Sequence, residues 1–182
     1  MCARILGCVL GLAVVFTPLC TPTADATQIL AMDVESLGRD AQVVVEATVV
    51  AEQAFWNDSR TRILTRVELD VDRAHKGAPA GRLSVVQAGG EIDGMRMTVH
   101  GVTQWQVGER VLAFLEPAFD AQYRVTGFSQ GKFSIQTDPR TGEEIAVRPE
   151  LGVSTVGGDG DAMRLPLRRV LERAQVQIRE ER

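Results

Sequence analysis

Beyond residue 20 the chain has no cysteine, because Cys2, Cys8 and Cys20 all fall in its opening segment. Once that segment is removed there is no disulfide framework, no thiolate nucleophile and no cysteine metal site, so an ordinary hydrophobic core must hold the fold together. Histidine is nearly as scarce, with only His75 and His100. A turn, a strand and a double glycine separate them, and they do not form the His-x-x-x-His pair of a zinc helix. Aromatics make up 5% of the chain and the net charge is −4, which argues against nucleic acid, a ligand that asks for stacking platforms and a basic groove. The phosphate loops Gly-x-Gly-x-x-Gly and Gly-x-x-x-x-Gly-Lys-[Ser/Thr] are missing. Ser84, Ser129, Ser134 and Ser154 are expected to lack the Gly-x-Ser-x-Gly elbow and come with no recognisable triad. The sequence therefore implies no cofactor, no metal and no enzyme.

What is present begins with a targeting pattern. Arg4 and the amino terminus form a short positive region, residues 5–16 are an unbroken apolar run, and Ala24-Asp25-Ala26 has the small-x-small form of a signal-peptidase site. As a helix the run is about 18 Å long, too short for a hydrocarbon core of roughly 30 Å. We expect residues 1–26 to be a signal peptide cleaved after Ala26. The mature chain would be exported to the periplasm or beyond, with no transmembrane span. Residues 27–150 read as one β-rich domain, 151–164 as a glycine-rich linker and 165–182 as a carboxyl-terminal helix.

The firmest element is the stretch from Gln104 to Pro117. Within it Val111, Ala113 and Leu115 would point to one side of a strand and Leu112 and Phe114 to the other, so both sides ask to be buried. Before it, Val43 to Val50 form a β-branched run that Phe55 and Trp56 end, and Asn57-Asp58-Ser59 makes a turn. A strand follows from Thr61 to His75, its second half alternating with one wet face, and a shorter one from Leu83 to Val86 runs into Gly89-Gly90. After the central strand come Tyr123 to Phe128, Lys132 to Gln136 and Glu144 to Arg148, the last two joined by the hairpin turn at Asp138 to Gly142. Asp33 can cap a brief helix through Leu37 that Gly38 would end. At the other end Leu167, Val170, Leu171, Ala174 and Ile178 fall on one helical face beyond Pro166. Strands of uneven length, glycine-marked corners and an outer helix suggest a small, closed or partly open β-barrel.

The run Asp40 to Val49, the strand ending in His75-Lys76-Gly77, Gln87-Ala88-Gly89-Gly90, Val107 to Leu115 and Gly127 to Phe133 together resemble a group of uncharacterised exported bacterial proteins. Their organisation is similar to the netrin and TIMP (tissue inhibitor of metalloproteinases) type of OB barrel. The resemblance implies a mainly β fold: a small OB-like, partly open barrel with a carboxyl-terminal amphipathic helix and a short amino-terminal one. It covers roughly Val34 to Ile135. TIMPs present an amino-terminal cysteine to the target's zinc, whereas Thr27 would be the new terminus here, so that chemistry does not carry over and only a general expectation of protein binding remains.

Candidate binding residues fall in two places. The segment from Gly89 to Val102 offers Gly89, Gly90, Glu91, Met95, Met97 and His100, the methionines giving an adaptable apolar contact. The corner Gln130-Gly131-Lys132 presents an amide and an amine. His75 reads as a solvated strand end. The sequence points to a non-catalytic module binding an unidentified protein or envelope component. Two alternatives are a hydrolytic or metal-dependent centre, for which Glu91 and Asp93 would approach His100 across a hairpin, and a structural envelope protein without a discrete ligand.

Overall fold

The computed structural model describes residues 28–77, 81–150, 154–157 and 162–176. The expected signal segment, part of the expected linker and Ile178 lie outside them. The chain runs β1 (Gln28–Leu30), α1 (Val34–Asp40), β2 (Val43–Trp56), β3 (Ile63–Lys76), β4 (Arg82–Ala88), β5 (Gly90–Ile92), β6 (Met95–Met97), β7 (Arg110–Pro117), β8 (Tyr123–Val125), β9 (Lys132–Thr137), β10 (Glu144–Arg148), β11 (Ser154–Val156), β12 (Met163–Pro166) and α2 (Leu167–Arg173). The fold is mainly β, a small, partly open OB-like barrel flanked by two helices.

Five strands close the ring. β2 pairs antiparallel with β3, β3 with β4, β8 with β7 and β7 with β2, while β4 meets β8 in parallel through Val85 and Tyr123. The long β2 and β3 can bend this far because their register shifts three times, between Val44 and Val45, Glu46 and Ala47, and Val49 and Ala51. Such irregularities increase local twist and turn a flat ribbon into a barrel wall. From β7 the same eight-stranded sheet continues outward through β9, β10 and β12.

β7 has two buried faces, as its apolar run demands. Val111, Ala113 and Leu115 point into the ring beside Val45, Ala47, Val67, Leu69, Val85 and Trp105. Leu112 and Phe114 point the other way, into a layer built with Val34, Leu37, Phe133, Val170 and Leu171 beneath the helices. There the Phe114 and Phe133 rings meet edge to face at 5.9 Å, a favoured aromatic geometry.

One edge of β7 also changes partner midway. Its first half pairs with β9, Val111 opposite Ser134 and Ala113 opposite Lys132, and its second half pairs with β8, Leu115 opposite Val125. The exchange happens at Phe114, whose N–H donates to the Gly131 carbonyl at 2.8 Å and whose carbonyl accepts from the Thr126 N–H at 2.9 Å. Residues 126–131 thus turn inside a fork. Gly131 is required by space: a Cβ there would lie 2.8 Å from the Thr126 oxygen and 2.9 Å from that of Phe114.

The helices cap the outer layer. The Asp33 carboxylate accepts from the Ser36 N–H at 2.7 Å, the expected amino-terminal cap. Gly38 does not end α1, which continues to Asp40. It is there because α2 passes so close that a Cβ would sit 2.1 Å from the Ala174 carbonyl oxygen. Arg173 donates two bonds to Glu35 across the same contact, at 2.8 and 3.0 Å. Gly38→Ala should therefore destabilise the protein by at least 1–3 kcal/mol, on the order of an overpacked core, although helix propensity alone would favour alanine by about 1 kcal/mol. Urea titration of the two proteins checks the sign.

Three sequence expectations need correction. Part of the expected linker is ordered, because Ser154–Val156 forms β11 and pairs in parallel with β1, and Met163–Pro166 forms β12 on β10 before the helix begins. The strand expected from Tyr123 to Phe128 stops at Val125. His75 is a buried residue rather than a solvated strand end, 6% exposed. Among the described residues no helix is long and apolar enough to cross a membrane.

Candidate functional site

A cleft of about 910 Å³ opens beside the fork. One wall is the approach to β7, from Gly101 to Gln104 and from Gln106 to Arg110, and the opposite wall comes from Ser129, β9 and the end of β10 at Arg148. Local structure explains the opening. β9 leaves β8's line at the fork, and residues 101–109 run without strand pairing of their own, so the two walls diverge.

Lys132 projects from the first position of β9 but is not a surface amine. It is 7% exposed and donates to Glu109 Oε1 at 2.6 Å and to Ser134 Oγ at 3.1 Å, while its ammonium stands 5.7 Å from the centre of the Trp105 ring. Ser134 donates to the same Glu109 oxygen. Trp105, buried at one end of the ring, in turn donates to Gln87 Oε1 at 3.1 Å. A charge pair this enclosed is held by its hydrogen bonds and by the ring face as much as by Coulomb attraction.

Arg148 is less well matched. It is 3% exposed, its Nη1 donates to the Gln130 carbonyl at 3.3 Å, and its guanidinium lies 5.5 Å from the Phe133 ring centre. Among the described residues no carboxylate pairs with it, and its Nε makes no hydrogen bond. Burial accordingly pulls its pKa below the usual arginine value. Buried charges are ordinarily paired. Three more buried atoms lining this cleft make no hydrogen bond: Thr103 Oγ1, Glu109 Oε2 and Ser129 Oγ. Among the described residues, four of the five buried side-chain atoms without a hydrogen bond thus belong to residues of this cleft, Thr126 Oγ1 being the fifth.

The residues singled out in the sequence are distributed differently. Gln130 and Lys132 face inward instead of presenting themselves to solvent. The Gln130 amide is occupied by the Met32 N–H at 2.7 Å and the Leu30 carbonyl at 2.9 Å, tying the amino-terminal segment to the fork. Gly89, Gly90, Glu91 and Met97 line a shallower depression of about 320 Å³ together with Val102, Thr103 and Gln104. Met95 is half exposed on the small β5–β6 hairpin. Glu91 is taken by Arg96 at 2.9 Å, Asp93 accepts from Trp56 Nε1 at 3.4 Å, and His100 is exposed on a turn. No group of three or more His, Cys, Asp or Glu able to hold a metal occurs among the described residues.

Two features escaped the sequence reading. Gly127-Phe128-Ser129-Gln130-Gly131 does have the Gly-x-Ser-x-Gly spacing. It lies in the fork between two strands, not between a strand and a helix, and Ser129 Oγ has no base bonded to it, so the spacing carries no nucleophile elbow. The strain falls on Phe128, whose φ of +71° is unusual for a bulky side chain. The second is Glu46, buried on β2, whose Oε1 lies 2.7 Å from His75 Nε2 with Arg110 and Arg73 at 3.4 and 3.9 Å. Burial alone would push its carboxyl up, but the His75 hydrogen bond and the charges of His75, Arg73 and Arg110 hold it below its ordinary value. A glutamate inside a valine run was the available signal. No family model, no curated protein and no solved structure matches the chain, and the cleft's own geometry therefore carries its interpretation.

Proposed function

We propose that the protein is an exported, non-catalytic binding module with a netrin- or TIMP-like organisation, and that the cleft beside the fork receives part of a protein or envelope component. The observation that supports this is the concentration of buried polar atoms without partners around one open cleft. In a folded interior such groups are ordinarily satisfied, so an arrangement that leaves several together suits a ligand that completes them. The rim adds Val107, 66% exposed.

A photo-crosslinking amino acid at position 107, in the full chain expressed with its leader, tests the reading. Fractionation should find the mature protein outside the cytoplasm, beginning at Thr27. A defined envelope product should form from position 107 and not from Phe119, which is 88% exposed and lies away from the cleft. Equal products from both positions, or none, would overturn the proposal. Stoichiometric zinc in the purified protein, lost in His100→Ala, would favour a metal-dependent reading instead.

A further inference from the structure

We infer that the cleft is a carboxylate-binding site, in which Arg148 supplies the counter-charge to an acidic side chain of the partner. This rests on the binding reading above and specifies its ligand chemistry.

Three charged groups on the cleft walls are cations and two are anions. Lys132 is matched by Glu109, and Arg110 by Glu144 at 2.5 Å and by Glu46. Arg148 is the cation of these walls without a carboxylate among the described residues, and Glu150 stands exposed at the rim. A guanidinium is a planar fork suited to two carboxylate oxygens. Ser129 lies on the same wall of the cleft as Arg148, and its hydroxyl has no hydrogen-bond partner among the described residues, so it is a second donor available on that wall. A single buried guanidinium without a carboxylate suits a ligand of single negative charge. One cation is unmatched, whereas a dianionic phosphate would also face Glu109 and Glu150. A purely structural role for Arg148 is poorly served by the contacts it makes, one long bond to a carbonyl and a ring face, because neither neutralises it.

The test is a titration of the full mature protein with the tripeptide Ac-Ala-Asp-Ala-NH2, its Asn counterpart and inorganic phosphate, followed by NMR. The Asp peptide should bind at least ten-fold more tightly than the Asn peptide. It should move the Arg148 Nε–H and Ser129 amide resonances of the wild-type protein, a readout that does not depend on any variant folding. Arg148→Met should erase the ten-fold preference and Arg148→Lys should keep part of it. Equal binding of the two peptides, a preference that survives Arg148→Met, or tighter binding of phosphate would overturn the inference. Crosslinking from position 107 would still stand in those cases, so loss of the carboxylate preference is separable from loss of the binding function.

Discussion

Leu112→Asp is expected to abolish folding, or to lower the unfolding free energy by more than about 4 kcal/mol, the range reserved for an unpaired buried charge or a broken core. Leu112 is 0% exposed and lies among Val44, Phe114, Phe133 and the α2 face, an apolar layer in which a carboxylate loses its hydration. Ala113→Asp should be as damaging for a different reason, because it inserts the carboxylate into the ring interior beside Val45 and Val111. A domain of this size has a net stability of about 5–15 kcal/mol, so either change consumes much of it. Val107→Asp, on the exposed rim, should stay within about 0.5 kcal/mol. Urea unfolding followed by circular dichroism distinguishes the three. Tolerance of either buried aspartate would mean that β7 is not covered on both faces.

The second large effect centres on Glu46. Glu46→Ala removes the carboxylate shared by His75, Arg73 and Arg110 and should be worth about 3–5 kcal/mol, as when one partner of a buried pair is deleted. Its pH dependence has a definite sign. The folded-state pKa lies below the unfolded value, so the stabilisation is complete above the ordinary glutamate range near about 4.3. It is lost as pH falls through that range toward the folded-state value. Asp33 and Glu35 are shifted in the same direction, each chiefly through a side-chain hydrogen bond, from Ser36 and Arg173 respectively, and they give the wild-type protein additional acid sensitivity. Stability measured from pH 6 to pH 3 should therefore fall less steeply in Glu46→Gln than in wild type. Parallel curves would show that the buried carboxylate titrates as it does in the unfolded chain.

The barrel was legible because its strands carry their burial in their residue types. β7, with apolar residues at consecutive positions, announced two covered faces, and the Asp138 to Gly142 turn announced the β9–β10 hairpin that the register confirms. Asp33 announced α1. What stayed hidden depends on contacts between residues far apart in the chain. Gly38 reads locally as a helix stop, and only the passage of α2 over it reveals the steric reason. Lys132 and Arg148 look like surface cations at strand ends until the divergence of the walls buries them, and Gln130 looks like a turn residue until β1 arrives at its amide. His75 could be assigned to a strand end, but its burial depends on a glutamate 29 positions earlier. The cleft was only partly foreshadowed: the segment before β7 was expected to be functional, and its last residues form a wall, while the opposite wall required the fork.

The partner exchange along β7 also governs how the fold is reached. Val43 must wait for Leu115 and Val44 for Phe114, so the inner edge of β2 remains open until most of the chain is available. The ring closes only when β8 joins both β7 and β4. Loop-closure entropy has to be overcome before such distant pairings stabilise anything, which makes assembly slow compared with locally connected folds. A nascent chain lacking β7 has neither a closed ring nor a covered outer layer, because that one strand supplies a face to each.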